Sequence, residues 1–169
     1  MNFTDITPYD LQANPFALIG KGWMLVTAGD EKSCNTMTVS WGQVGIMWNK
    51  PVVNVYLRPQ RYTLEFLEKQ QRFSLCTFAG ESQRPALSLL GSKSGRDGDK
   101  ITEAGLHTIL VDGVPAFEEA DKIFICKKLY RQKVEEQGFL DTALPDKNYP
   151  GKDFHVMFIA EIEKVYAAR

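Results

Sequence analysis

The chain has 169 residues, of which 44% are apolar and 24% charged, and its formal net charge is −1. This composition fits one globular domain, residues 1–169, and excludes a disordered chain. The small net charge argues against a protein that binds nucleic acid or anionic membranes through bulk electrostatics. No apolar stretch approaches the ~20 residues of a membrane-spanning helix, and the opening residues lack the basic and apolar regions of a signal peptide.

The cysteines and histidines limit the chemistry that the chain can perform. Cys34, Cys76 and Cys126 are odd in number, scattered and without CxxC spacing. We therefore expect reduced thiols in a cytoplasmic protein, not a disulfide framework or a zinc site. His107 and His155 are too few for a histidine-rich centre, so we expect no metal.

The first half of the chain is dominated by predicted strands. Runs of β-forming residues bounded by turn signals predict strands at residues 23–29, 35–41, 43–48, 52–58 and 72–78. Two short amphipathic helices are predicted between them. "RYTLEFLEKQ" begins its helix at Thr63 or just before it, and "SQRPALSLLGS" has Ser82 as its cap and Pro85 in its first turn.

The second half is predicted to contain only β structure after about residue 100. "GSKSGRDGDK" is a loop by composition. It is followed by two strands around an Asp-Gly turn, the long strand "KIFICKKLYRQKVE", the surface loop "GFLDTALPDKNYPGKD" and a final strand. One face of that final strand carries Val156, Phe158, Ala160 and Ile162. Strands and helices do not alternate regularly, so the sequence predicts a mainly β barrel with short helical insertions.

The segment "NTMTVSW", residues 35–41, places three hydroxyl groups on one face of a strand. Side chains alternate between the faces of a strand, so Thr36, Thr38 and Ser40 share one face. The other face carries Asn35, Met37, Val39 and Trp41. A hydroxyl face is either the wet side of a half-buried antiparallel strand or a surface that hydrogen-bonds a ligand.

Basic residues concentrate in two short connections, "LRPQRYT" and "SKSGRDGDK". The first leads into a helix, whose N-terminus has free N–H groups and a partial positive charge that favour anions. The second offers hydroxyls, a glycine backbone and cations that suit an anion-binding nest. Alternatively, the second connection is a solvated loop in which Arg96 and Lys100 pair with Asp97 and Asp99. Together with the hydroxyl strand, the two connections favour a small phosphorylated ligand.

These three motifs, in this order, resemble the flavin reductase-like FMN-binding family, and flavoredoxin-type members are the nearest in pattern. The resemblance extends from Pro15 to Val165. It implies a mainly β (α+β) fold, an FMN-binding split β-barrel with Greek-key connectivity, and a homodimer with flavin near the subunit interface. It also implies an oxidoreductase that moves electrons or hydride from NAD(P)H or a redox protein to an acceptor through bound FMN.

The resemblance also assigns cofactor-binding residues. The strand would contact the isoalloxazine ring and ribityl chain through Asn35, Thr36, Met37, Thr38, Val39, Ser40 and Trp41. The phosphate would be held by Arg58, Arg61, Tyr62 and Thr63. A second cationic clamp would comprise Ser94, Gly95, Arg96 and Lys100.

Two departures from the family pattern bear on function. Gln60 stands at the first position of the Ser-x-x-Thr arrangement of many flavin reductases, which favours the branch that holds FMN tightly. In "KDFHVMF", His155 matches the family histidine near the nicotinamide and is the candidate donor-site contact, but Phe154 replaces an acidic neighbour. Direct use of NAD(P)H is therefore open. A non-catalytic FMN-storing or FMN-sensing module and a pyridoxamine-phosphate-oxidase-like enzyme are the alternatives, although no second phosphate site is evident for the latter.

Overall fold

Alternating apolar side chains and short turns build a β-sheet along most of the chain in the computed structural model, which describes residues 3–169. The predicted domain, residues 1–169, includes Met1 and Asn2, which lie outside the described residues. The strands of the described part are β1 (Phe3–Ile6), β2 (Met24–Gly29), β3 (Cys34–Val39), β4 (Gly42–Met47), β5 (Lys50–Leu57), β6 (Arg72–Thr77), β7 (Thr108–Val111), β8 (Val114–Phe117), β9 (Lys122–Lys133) and β10 (Val156–Ala168).

The main sheet has the order β3-β2-β6-β9-β10-β5-β4, with β1 paired to β10, and all of its pairs are antiparallel. The hairpin of β7 and β8 is separate. Its turn places Asp112 and Gly113 at positive φ, as the predicted Asp-Gly turn requires. Consecutive strands such as β5 and β6 lie apart in the sheet, which gives the Greek-key type of connectivity that was predicted.

The two-residue connection between β3 and β4 requires the main sheet to curl. β3 and β4 stand at opposite ends of the strand order, yet only Ser40 and Trp41 separate them along the chain. Three peptide steps span at most about 11 Å, so the two edges must approach each other. The rolled but unclosed sheet is a split barrel, and the predicted fold class is confirmed.

Short helices occupy the connections: α1 (Tyr62–Lys69), α2 (Arg84–Ser92), α3 (Lys100–Glu103) and α4 (Ala143–Asn148). The last two correct the prediction of only β structure after residue 100. α3 begins where the Asp99 side chain accepts a hydrogen bond from the Thr102 N–H at 3.1 Å, a cap that glycine-rich composition concealed. The N-cap position of α2 is held by Gln83, whose side chain makes no capping hydrogen bond, and not by Ser82 as predicted, although Pro85 does stand in the first turn.

Two hydrophobic cores lie on opposite faces of the sheet. Adjacent residues Leu25 and Val26 of β2 belong to different cores because strand side chains alternate. The core on the Val26 side includes Leu64 and Leu67 of α1. The core on the Leu25 side includes residues of α2 and of the β7–β8 hairpin. Over residues 3–169, no helix combines the length and the apolar character needed to cross a membrane.

Candidate functional site

The hydroxyl groups of β3 bind neighbouring elements of the protein. Thr36 is fully buried and donates to the Val26 carbonyl at 3.0 Å, and its Oγ1 lies 2.8 Å from Thr27 Oγ1. Thr38 donates to the Leu87 carbonyl of α2 at 2.5 Å. Ser40 is exposed and follows the end of the strand. The expected wet face is therefore absent at Thr36 and Thr38, whose hydroxyls attach β3 to β2 and α2.

Asn35 connects β3 to the first turn of α1. It is only 4% exposed, and its Nδ2 donates to Thr63 Oγ1 at 2.8 Å. Its Oδ1 lies so close to Gly95 that a Cβ at Gly95 would overlap it. Asn35, Thr63 and Gly95 therefore fix the positions of three segments at the start of α1.

A cleft of about 370 Å³ opens where the barrel is split, between the end of β3 and the end of β5. Its size lies within the range of small-molecule sites. The cleft is lined by Met37, Thr38, Val39, Ser40, Trp41, Tyr56, Arg58, Gln60, Arg61, Gly91 and His155. Residues of the hydroxyl strand and of the first basic connection thus meet at one place, whereas no residue of the second basic connection lines the cleft.

The remaining predicted site residues lie outside this cleft. A separate depression of about 610 Å³ is lined by Asn35, Tyr62, Gly95 and Lys100, among others. Ser94 Oγ accepts a hydrogen bond from the Arg96 N–H at 3.2 Å. The Arg96 guanidinium lies 4.5 Å from the Tyr62 ring centroid and pairs with Glu65 of α1.

The second basic connection is not the solvated loop with internal ion pairs that stood as the alternative. Arg96 pairs with Glu65 and not with Asp97, and Lys100 is only 3% exposed. Lys100 Nζ donates to the carbonyls of Leu90 and Lys93 at 3.1 and 2.9 Å, which lie at the C-terminal end of α2. A cation in that position satisfies the free carbonyls of a helix end.

Arg61 and Lys100 form a positive region without a neutralising carboxylate. Within the described residues, neither has an Asp or Glu oxygen within 4.0 Å. Arg61 donates to the Gly91 carbonyl. Burial lowers the pKa of Lys100 to about 8, and the charge of Arg61 adds to this effect. Burial also lowers the pKa of Arg61. An anion in the cleft would relieve this repulsion.

The first turn of α1 strengthens the positive region. Arg61 is the N-cap residue of α1, and no side chain caps the helix there. The first N–H groups of a helix have no partner within the helix and carry a partial positive charge. The cleft therefore combines a guanidinium that pairs with no carboxylate of residues 3–169 with an uncapped helix N-terminus, an arrangement that suits an anion such as phosphate.

Arg58 is occupied by a different part of the chain. Its Nη1 donates to Asp153 Oδ2 at 2.5 Å and its Nη2 to the Asn148 carbonyl at 2.8 Å. Gln60 Nε2 donates to the same Asp153 oxygen at 2.9 Å. These bonds tie the segment between β9 and β10 to the end of β5. The pKa of Asp153 is lowered by Arg58 first and then by Gln60.

His155 forms part of an aromatic wall of the cleft. Its ring centroid lies 5.1 Å from that of Trp41 and 6.4 Å from that of Tyr56. Its Nδ1 is 2.8 Å from the Tyr149 hydroxyl. Burial and, to a smaller extent, the charge of Arg58 lower the pKa of His155 to about 4. The imidazole is therefore neutral at pH 7. It can donate and accept hydrogen bonds, but it does not hold an extra proton that it could give to a substrate.

Sequence reasoning missed Tyr56 and Gly91 as lining residues and used Gln60 only as a departure from a family pattern. The strand period offered a signal for Tyr56, because it lies two residues before Arg58 and so on the same side of β5. Gly91 ends α2 and reaches the cleft only because Thr38 and Arg61 both contact that helix end. No local sequence pattern predicts such a contact.

Comparison with known proteins gives a consistent result. A family model described as "flavin reductase like domain" matches residues 16–169. No curated protein matches the sequence significantly.

Several solved structures share the fold. An FMN-binding domain of a flavin reductases-like enzyme from Shewanella baltica has a TM-score of 0.69 at 20% identity, with 99% of this chain and 78% of that chain covered. Flavoredoxin of Desulfovibrio vulgaris has a TM-score of 0.67 at 21% identity, over 87% and 69% of the two chains. The styrene monooxygenase flavin reductase of Pseudomonas putida has a TM-score of 0.63 at 21% identity, over 88% and 79%. At these identities the likeness is one of fold.

Proposed function

Because this chain belongs to the flavin reductase-like family, we propose that it is an oxidoreductase, a single domain that holds FMN in the cleft at the split of its barrel. The observation that supports the proposal most strongly is that one cleft contains both a cation that no carboxylate neutralises and an aromatic wall. Arg61 and the N-terminus of α1 suit the phosphate, and Trp41, Tyr56 and His155 suit a flat ring. Relatives described as FMN-binding support the choice of flavin.

Different residues of the cleft would bind different parts of FMN. Arg61 and the free N–H groups at the start of α1 would hold the phosphate. Backbone groups of residues 37–41 would hydrogen-bond the ribityl chain and the ring edge. Asn35 and Gly95 would position β3 and α1, because they meet at the first turn of that helix. Thr36 would hold β3 against β2. Bound FMN would supply the two-electron chemistry.

His155 would act as a neutral hydrogen-bonding group beside the ring. Because its pKa is lowered to about 4, it carries no charge at pH 7. Its bond to Tyr149 fixes the orientation of the imidazole. Such a group would position a ring or exclude water, and at neutral pH it would not supply a proton.

The electron donor is proposed to be NADH or NADPH, or else a redox protein. The test is to purify the protein without added cofactor, record the visible spectrum, and add each nucleotide under anaerobic conditions. We expect flavin bands that bleach with one of the two nucleotides. Bands that persist with both would assign the donor role to a redox protein or leave a storage or sensing module. A colourless protein that fails to take up FMN would refute the proposal.

We also propose that the protein is a homodimer. A patch on the β4–β5 hairpin and β9, here called the hairpin patch, exposes Ile46, Met47, Trp48 and Tyr130, with exposed fractions of 62%, 40%, 52% and 43%. The rings of Trp48 and Tyr130 lie 6.4 Å apart. β4 ends the strand order, so its outer edge has no strand partner among residues 3–169. An exposed apolar edge strand is typical of a pairing surface.

Sedimentation velocity tests the dimer. The wild-type chain should sediment at twice the mass of a 19.1 kDa protomer. Ile46→Glu places a charge in the hairpin patch and should give a monomer, because an unpaired charge in an apolar interface is costly. Leu140→Glu is the matched control, since Leu140 is 100% exposed and lies outside the patch. A monomeric wild-type protein, or equal effects of both variants, would contradict the proposal.

A location in the cytoplasm is proposed on the basis of the cysteines. Cys34, Cys76 and Cys126 are all free thiols, and the latter two are fully buried. Burial raises the pKa of Cys76 to about 12, which keeps that sulfur protonated and unreactive. Free thiols of this kind suit a reducing compartment. Fractionation of cells that produce the protein at native level would test the location.

A further inference from the structure

A second cavity adjoins the cleft and differs from it in chemistry. Its volume is about 560 Å³, and it shares Ser40, Trp41 and Tyr56 with the cleft. The rest of its wall comes from the segment around Ile19, from β4 and from the segment between β9 and β10. Its size again lies within the range of small-molecule sites.

The wall of this cavity is aromatic and uncharged. Five of its residues carry aromatic rings: Phe16, Trp41, Tyr56, Phe139 and Tyr149. No Asp, Glu, Lys or Arg is among its lining residues. The Arg58 guanidinium lies 5.1 Å from the Tyr149 ring centroid but is bound by Asp153 and the Asn148 carbonyl. An ion would lose its hydration in this cavity without gaining a partner of opposite charge.

A hydrogen-bonded pair connects the cavity to the cleft. Tyr149 lines the cavity, His155 lines the cleft, and Tyr149 Oη lies 2.8 Å from His155 Nδ1. A phenol hydroxyl has one donor and two acceptor positions, so Tyr149 keeps the capacity for a further hydrogen bond. Tyr149 therefore offers a polar anchor in a mostly apolar wall, in which Ser40, Gln43 and Tyr56 are the other polar side chains.

We propose that this cavity is a binding site for a small neutral aromatic compound with one hydrogen-bonding group, which Tyr149 anchors. The rings of the wall match the faces and edges of an aromatic ligand. The uncharged lining rejects carboxylates, and it offers no cation for the diphosphate of a dinucleotide. Occupation of the cavity beside bound flavin rests on the proposed function, whereas binding to the cavity itself does not.

The test uses acetophenone and benzoate, a neutral and an anionic probe of similar size, in calorimetric titrations. We expect acetophenone to bind both the FMN-loaded and the flavin-free protein, and benzoate to bind at least tenfold more weakly. Tyr149→Phe keeps the ring and removes the hydroxyl, so it should weaken acetophenone binding about three- to tenfold. Tyr9→Phe is the control, because Tyr9 is 72% exposed and lies outside the cavity.

A second variant fills the cavity. Gly20 lines it, and a Cβ at Gly20 would meet nothing within 4 Å. Gly20→Leu should weaken acetophenone binding at least tenfold, whereas Ser88→Leu on the exposed face of α2 should leave it unchanged.

Three results would overturn the proposal. They are a failure of acetophenone to bind, equal binding of benzoate, and acetophenone binding that FMN abolishes, which would assign the cavity to the flavin. If acetophenone binds as expected but FMN does not, the proposed function fails and the cavity assignment stands.

Discussion

Replacing Arg61 with glutamine should lower the affinity for FMN about 10- to 100-fold, because hydrogen bonds to a charged group contribute roughly 1.5–3 kcal/mol each. Arg61 lines the cleft, forms no ion pair with a carboxylate of residues 3–169 and stands at the N-terminus of α1. Glutamine retains some length and hydrogen-bonding capacity but loses the charge. Fluorescence quenching of free FMN on titration with the flavin-free variant measures the effect.

Arg96→Gln is the matched control for this substitution. Arg96 belongs to the second connection, but its guanidinium lies beside the first turn of α1, where it pairs with Glu65, and it does not line the cleft. Its replacement should change FMN affinity less than about threefold, as is usual for an exposed ion pair. If Arg96→Gln weakened binding as much as Arg61→Gln, the phosphate would lie in the second connection and the proposed cleft would be wrong.

His155 should make the protein less stable as the pH falls from 6.5 towards 4. Its pKa is about 4 in the folded protein, against 6.5 for an ordinary histidine. Between these values the unfolded chain binds the extra proton, so the free energy of unfolding rises with pH across this window. The full effect is on the order of 3 kcal/mol, is present above pH 6.5 and is lost as the pH falls through 4.

Urea denaturation at several pH values, with the wild type and His155→Gln, measures this contribution. The variant should show a flatter dependence on pH in this window. His107 provides a control of opposite sign, because its hydrogen bond to the Glu119 carboxylate raises its pKa and its contribution is lost as the pH rises. NMR titration of the two histidines should separate them, with His155 below 6.5 and His107 above. Two similar titrations near 6.5 would contradict the buried, neutral His155.

Much of the fold could be predicted because its signals are local. The strands β2 to β6 were located within about two residues at either end, since β-branched and aromatic runs are bounded there by turn residues. The strand predicted at residues 35–41 ends at Val39 because Ser40 and Trp41 are needed for the crossing to β4. α4 was missed because "ALPDKN" contains a proline and sits among turn residues.

The candidate site was predicted in part. The part that was not predicted depends on contacts between residues that are far apart along the chain. Thr38 donates to Leu87, 49 residues away, and Arg58 pairs with Asp153, 95 residues away. Neither contact has a sequence signature, so the hydroxyl face and Arg58 were read as free to bind a ligand. Arg61 was placed correctly at the start of a helix, because that inference needed only the adjacent residues.

The central position of β10 has a consequence for how the molecule is made. The strands β3, β2, β6 and β9 form one side of the sheet and β5 and β4 the other, and within residues 3–169 β10 is the only strand that is hydrogen-bonded to both sides. A ribosome adds residues from the N-terminus, so β10 emerges after every strand that it joins. Until then the apolar β5, with Val53, Val55 and Leu57 ready for burial, has no partner on that edge. The nascent chain therefore passes through a stage in which two half-sheets lack the strand that joins them, and unpaired strand edges of this kind favour misassembly.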